Sequence, residues 1–259
     1  VELLYSIALT EKLIALALIF QTIELFLIRD AYSDSGVWRW ADLNKEFKIF
    51  SRINQAMLCF FLNYKNFILF LGLRLVLAIC LLFYSSPLIL CTLLFSTIMI
   101  ALRWRGTFNG GSDYMTVLVL SALSVASIYK DSETVQLAAL WYITIQVVSS
   151  YFIAGLVKVR RGNWRDGSAL QGFVASTIYK DISLTKLISS NKTVALLFSW
   201  TIIIFELAFI FTLLSPSVAV TFILIAFLFH VGNFYVFGLN RFIFSWMACY
   251  PALVFCSGW

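Results

Sequence analysis

Lys158 stands where an apolar helix gives way to charge, in the stretch SYFIAGLVKVRRGNWRDGSAL, residues 150–170. Tyr151, Gly155 and Lys158 fall on one face at helical spacing, and a glycine there lets a second helix pack close. A lysine desolvated in such a crevice, with Arg160, Arg161 and Arg165 nearby, can give up its proton near neutral pH and serve as a base. It can equally be a lysine that ends a membrane helix and snorkels to the headgroups. Spacing leaves both readings open.

His230 is the single histidine of the chain and lies near the middle of an apolar run. Asn233, Phe237 and Asn240 or Arg241 follow on the same helix face, a polar stripe leading from mid-membrane toward the basic side. A buried histidine of this kind either bridges helices or works in a site. A further polar stretch, RWRGTFNGGSDYM at 103–115, places Arg103 and Arg105 before Asn109-Gly110-Gly111, a pliant turn. Ser112 and Asp113 then suit a helix N-cap, so two arginines stand beside a helix N-terminus, where an anion can bind. Interior polar groups complete the inventory. Glu206 needs a partner on another helix or a proton, and Arg74, Gln21, Glu24 and Gln146 suit hydrogen bonding between helices.

The elements that must position these residues are membrane helices. Of 259 residues, 61% are hydrophobic and 12% charged, and the mean hydropathy is +0.92. Soluble domains carry about 25% charged residues. The chain is expected to be an all-α, polytopic membrane protein forming one membrane domain over 1–259. The runs are continuously apolar, without the alternation of a barrel strand. Eight spans are expected, at about 8–28, 66–84, 87–103, 113–129, 134–157, 192–214, 217–238 and 241–258. Two amphipathic pieces, LNKEFKIFSRINQAMLCFF and DGSALQGFVASTIYKDISLTKLISS, read as interfacial helices. The opening apolar stretch is too long, and too interrupted by Glu11 and Lys12, for a cleaved signal peptide.

The five cysteines are expected to be small buried hydrophobes, and no His/Cys spacing suggests a metal. Lipid is the expected surrounding, and no nucleic-acid partner is expected.

Of the 19 Lys and Arg residues, all but Lys12, Lys130 and Arg74 fall on the connections of one side. The positive-inside rule makes that face cytoplasmic. A basic face can also hold an anionic substrate, and charge gathered for chemistry would mislead the rule.

The central stretch resembles the corresponding part of the vitamin K-dependent gamma-glutamyl carboxylases and their bacterial relatives, the horizontally transferred transmembrane (HTTM) domain proteins. The shared pattern is Tyr151, Phe152, Ala154, Gly155, Lys158, Trp164 and Gly167. NGGSDYM looks like the turn that opens that family's preceding span, and FHVGNFYVFGLNRFIFSWM like its late histidine-containing helix. The resemblance implies that Lys158 is the base that deprotonates a reduced quinone. It implies that His230 stabilises a carbanion or the incoming carboxylate. Around them, Tyr151, Trp164, Asn233 and Arg241 would join the site; Arg103, Arg105, Asn109, Asp113 and Arg161 are anion-binding candidates by their own chemistry, independently of the resemblance. It also implies an extracytoplasmic catalytic face, against the charge bias. Where the carboxylases have a histidine near an Asn-rich turn, Asn109-Gly110-Gly111-Ser112-Asp113 stands here. The small size is closer to the HTTM proteins of the sporulation-delaying-toxin maturation type, which act with a small partner protein.

The expected function is therefore that of a small bacterial inner-membrane protein in the maturation of a secreted peptide, by lysine-base chemistry linked to a reduced quinone such as menaquinol. The alternative is a non-catalytic assembly or immunity partner whose buried polar residues are structural. A transporter is a third class, without the internal repeat or paired broken helices that would support it.

Overall fold

The computed structural model describes residues 3–49, 51–104, 110–176 and 183–259, and these are all-α. Six helical segments are long and apolar enough to cross a membrane, among the described residues: 3–27, 64–81, 111–128, 133–160, 192–214 and 216–237. Their outward faces are apolar. The last of them buries only 11% of its most apolar window and exposes Leu224 and Leu228 by more than half, a surface suited to lipid. The chain is a multi-pass membrane protein.

Two of the eight expected spans take a different form. The helix over 87–103 has 17 residues, about 26 Å at 1.5 Å per residue, which falls short of a hydrocarbon core of about 30 Å. The expected span 241–258 is two short helices, broken at Ala248 and Cys249. Pro251 explains the break, since it has no N–H to donate and suits the first turn of a new helix.

The chain forms two compact units. In the unit Ile7–Ala139 the helices are α1 (Leu3–Leu27), α2 (Trp40–Leu43), α3 (Arg52–Leu62), α4 (Tyr64–Leu81), α5 (Pro87–Arg103) and α6 (Gly111–Ile128), with the start of α7 (Glu133–Arg160). The first amphipathic piece folds as a 3₁₀ turn followed by α3. Ser51 caps α3 by accepting from the Asn54 N–H, and Asn63 caps α4 by accepting from Asn66. Ser86 caps α5, with Pro87 in its first turn, so the YSSP turn forms the expected hairpin. The cap of α6 is Gly110, at φ +59, rather than Ser112 or Asp113, which lie in its first turn. Glycine alone enters a helix from that backbone conformation without strain.

Buried polarity fastens this unit. Arg74 on α4 donates to Thr22 Oγ1 (3.0 Å) and Gln21 Oε1 (3.3 Å) on α1, and to Ser96 Oγ (2.7 Å) and Thr97 Oγ1 (2.8 Å) on α5. Gln21 in turn donates to Thr116 on α6 at 3.2 Å. Three helices thus meet at one guanidinium and Gln21 joins a fourth, in keeping with the expected structural role of Arg74 and Gln21.

The other unit holds the first residues of the chain with Leu140–Trp259. After α7 come α8 (Gly162–Arg165), α9 (Ser168–Ala175), α10 (Ser183–Ser190), α11 (Lys192–Ala208), a 3₁₀ turn (Phe209–Leu214), α12 (Pro216–Phe237), α13 (Asn240–Met247) and α14 (Tyr250–Cys256). The second amphipathic piece thus supplies α9 and α10. Asn191 caps α11 by accepting from Thr193 and Val194, and Gly238 closes α12 at φ +70. Cys249 and Cys256 are buried, as expected of small hydrophobes, but Cys59, Cys80 and Cys91 are exposed. An outer surface that meets lipid accepts a cysteine as readily as a core does.

Gly167 holds the α8–α9 corner. It has φ +81, and a Cβ there would stand 2.7 Å from the backbone N of Leu196 on α11. Gly167→Ala is expected to lower stability by more than the roughly 1–2 kcal/mol of a left-handed backbone, since the contact is with backbone that cannot yield. Thermal unfolding of the purified protein measures this. Across this glycine, Ser168 donates through its hydroxyl (2.6 Å) and its N–H (2.9 Å) to Asp166 Oδ1. Those bonds hold this exposed carboxyl below its ordinary range. A depressed carboxyl contributes stability above its unfolded value near 4 and loses it as the pH falls through the lower folded value. Amide exchange at Ser168, relative to the intrinsic rate, is expected to quicken as the pH falls below about 4, and Asp166→Asn to abolish that step.

Candidate functional site

Glu206 meets Lys158 because α11 comes unusually close to α7. At Gly155 an added Cβ would lie 2.9 Å from the Leu207 N and 3.0 Å from the Glu206 Cβ, so only glycine admits this approach. One turn further along α7, Lys158 Nζ donates to both oxygens of Glu206, at 2.6 and 2.7 Å. The carboxylate side chain is 4% exposed and the lysine 17%. The indole of Trp164 covers the ammonium, with its ring centre 5.1 Å from Nζ. Lys158 therefore turns into the protein rather than to headgroups.

The corner that carries Trp164 is tied down twice. Ser199 of α11 donates to the Trp164 carbonyl at 2.5 Å, and Trp200 Nε1 to the Arg165 carbonyl at 3.1 Å. Gly167 lets the backbones meet there, so the Trp-spacer-Gly pattern after Lys158 has a mechanical sense.

Tyr151 lies two turns before Lys158 on the same face of α7. Its ring stacks on Phe209 at 3.9 Å, and its hydroxyl hydrogen bonds to His230 Nε2 on α12 at 2.6 Å. His230 is 3% exposed among Phe229, Phe242 and Trp246. Its Nδ1, and the Nε1 of Trp246, have no hydrogen-bond partner among the described residues. Buried polar atoms left without a partner are rare and call for an explanation.

The structure thus joins Lys158 to Glu206 and His230 to Tyr151, and links the two pairs through one face of α7. The lysine and the histidine do not pair with each other. Tyr151 and Lys158 are separated by about 10 Å along the helix axis. Of the other expected site residues, Trp164 belongs to the lysine pair and Arg161 is exposed at the start of α8. Asn233 is half-buried on α12, and Arg241 is buried in α13. Arg103 and Asp113 belong to the other unit, Arg103 fully buried and Asp113 half-buried. Arg105 and Asn109 lie outside the described residues. No group of three or more metal-ligating side chains occurs among the described residues.

Glu206 was legible in the sequence only as a carboxylate in want of a partner. Phe209, Phe242 and Trp246 gave no signal among so many aromatics.

Residues 114–259, more than half of the chain, match the HTTM domain family. The chain belongs to that family. The matched region encloses both residue pairs of this HTTM protein and begins within the first turn of α6. No curated protein and no solved structure matches the chain.

Removing one member of a buried ion pair costs about 3–5 kcal/mol, whereas an apolar pair of similar volume is tolerated. Lys158→Met and Glu206→Leu are each expected to reduce the folded protein in the membrane. The double substitution should restore most of it, as read by fluorescence-detected size exclusion of the solubilised protein.

Proposed function

We propose that this HTTM protein acts in the bacterial plasma membrane on the maturation of a secreted peptide, with Lys158 as the working base. The observation that carries this reading is the buried Lys158–Glu206 pair beneath Trp164. A lysine needed only to anchor a helix end has no use for a mid-span carboxylate, a glycine cleft and an indole cover.

The chemistry follows from the pair. In a poorly polarisable site the ion pair and its neutral form differ by one proton moved from Nζ to Oε1 over 2.6 Å. The free amine then takes a proton from an acidic hydroxyl or carbon acid that enters, and Glu206 holds the proton it received. Trp164 shields the amine from water. Tyr151 orients His230 by engaging Nε2, which leaves Nδ1 directed at whatever occupies the second station.

The likeness to the carboxylases implies a reduced quinone, and the residues present fit one. His230 Nδ1 and Trp246 Nε1 are open polar atoms beside the flat ring of Phe242, which stacks on both at 5.9 and 5.0 Å. Such a setting suits an aromatic ring bearing oxygen. When bound, a quinol would supply an acidic hydroxyl and reducing equivalents. The peptide substrate and a small partner protein, of the kind used in maturation of sporulation-delaying toxins, complete the proposal.

A second reading, a non-catalytic assembly or immunity partner, draws support from the Arg74 network, where a buried charge serves to join helices. Comparing variants of equal abundance separates the two. The Lys158→Met/Glu206→Leu protein is expected to accumulate normally yet lose the mass change that the wild type produces in a peptide secreted by its host. If secreted peptides are indistinguishable between the two strains by mass spectrometry, the base role fails. In nanodiscs, Trp246→Phe is expected to weaken binding of menadiol by roughly tenfold, the loss of one good hydrogen bond.

A further inference from the structure

Arg103 ends α5 and is 1% exposed, one of the two largest fully buried side chains. Its guanidinium lies within three aromatic rings, with its central carbon 5.9 Å from Tyr32, 5.7 Å from Trp40 and 5.8 Å from Phe67. The rings satisfy its charge but not its N–H groups, which point outward in the guanidinium plane. Only Nη2 is engaged, donating to the Tyr32 carbonyl at 3.1 Å. Nε and Nη1 have no hydrogen-bond partner among the described residues, nor has Nε1 of the adjacent Trp40, itself 7% exposed.

The cage is built rather than incidental. Tyr32 is pinned by its hydroxyl on the Leu25 carbonyl and by edge-on contacts with Phe67 and Trp104. The segment after it is drawn tight, since a Cβ on Gly36 would lie 2.4 Å from the carbonyl oxygens of Asp30 and Ala31, and Trp38 N donates to Ala31 O at 2.7 Å. Trp40 and Phe47 stack, which holds the Trp40 plane. The carboxylate whose field reaches Arg103 is that of Asp34, yet Asp34 is exposed and forms no ion pair with it.

We propose that the Arg103–Trp40 cage is a binding site for a phosphate-class oxyanion, either the headgroup of a phospholipid or a free phosphate. A tetrahedral oxyanion accepts two N–H groups from one edge of a guanidinium; Nη2 shares one such edge with Nε and the other with Nη1, so the Nη2 N–H not given to Tyr32 completes an edge with an open neighbour. The indole N–H of Trp40, whose ring centre lies 5.7 Å from the guanidinium carbon, is a further buried donor without a partner among the described residues. The neighbouring connection carries Arg29, Arg39, Lys45, Lys48 and Arg52 beside Asp30, Asp34, Asp42 and Glu46, and Arg39 and Lys45 are paired with Asp42. This site belongs to the unit Ile7–Ala139 and does not rest on the role given to Lys158.

The test uses the full chain, stripped of phospholipid in detergent and kept in phosphate-free buffer. Its thermal unfolding is followed while inorganic phosphate, or short-chain dihexanoylphosphatidylglycerol, is titrated. Stabilisation by both probes identifies a free-phosphate site; stabilisation by the lipid alone identifies a headgroup site that needs the tails. Trp40→Phe keeps the ring over the guanidinium and removes one donor, so it should fold and bind about tenfold more weakly. Arg103→Lys keeps the charge and removes the paired edge, and should lose the response. The proposal is overturned if neither probe stabilises the wild type, or if Trp40→Phe, folded, responds to them as the wild type does. Arg103 would then be a rivet between α5 and the Tyr32 segment and nothing more.

Discussion

A carboxylate surrounded by hydrocarbon must find a cation, and in this protein the match is made at a glycine. Glu206 sits mid-span on α11, where an unpaired charge costs several kcal/mol. Gly155 lets α11 approach until Lys158 reaches both carboxylate oxygens. The other features of that region follow from this approach. The α8–α9 corner folds back onto α11 through Ser199, Trp200 and Gly167, and brings Trp164 over the ammonium. On the opposite side of Gly155, the same face carries Tyr151 to Phe209 and His230.

The two units handle buried charge differently. Arg74 is surrounded by three hydroxyls and an amide from two other helices of its unit, all neutral acceptors, and Gln21 carries the network on to a fourth helix. Such a network fixes helix positions and has little capacity to move a proton. Lys158 and Glu206 face one another as acid and base at 2.6 Å, an arrangement in which a single proton changes both charges. The contrast is the physical ground for reading the first as a fastening and the second as a place of work.

Much of the fold was legible in the sequence. Run length and composition located the long spans, Ser86-Pro87 located the hairpin, and the Tyr151–Gly155–Lys158 face is the one that packs on α11. What failed did so for local reasons. The last span reads as one apolar run, because hydropathy does not register that Pro251 cannot continue a helix. Ser112-Asp113 has the composition of a cap, but the backbone turns two residues earlier, at Gly110. The candidate site was legible only in part. Lys158, Tyr151 and His230 stand out by type and spacing, whereas the Glu206 partnership depends on a register between α7 and α11 that no single helix encodes. The cage around Arg103 is built from rings indistinguishable in sequence from dozens of others.

The contact between α7 and α11 is made by backbone as much as by side chains. Gly155 abuts the chain at Leu207, and Gly167 abuts it at Leu196, about three turns away on the same helix. Two fixed points so spaced set both the tilt and the axial rotation of α11. Divergence over time should therefore concentrate on its outer face, where Leu197 and Ile204 stand well exposed, and any apolar residue there serves equally. The helix is free to change its coat while its bearing on Lys158 stays the same.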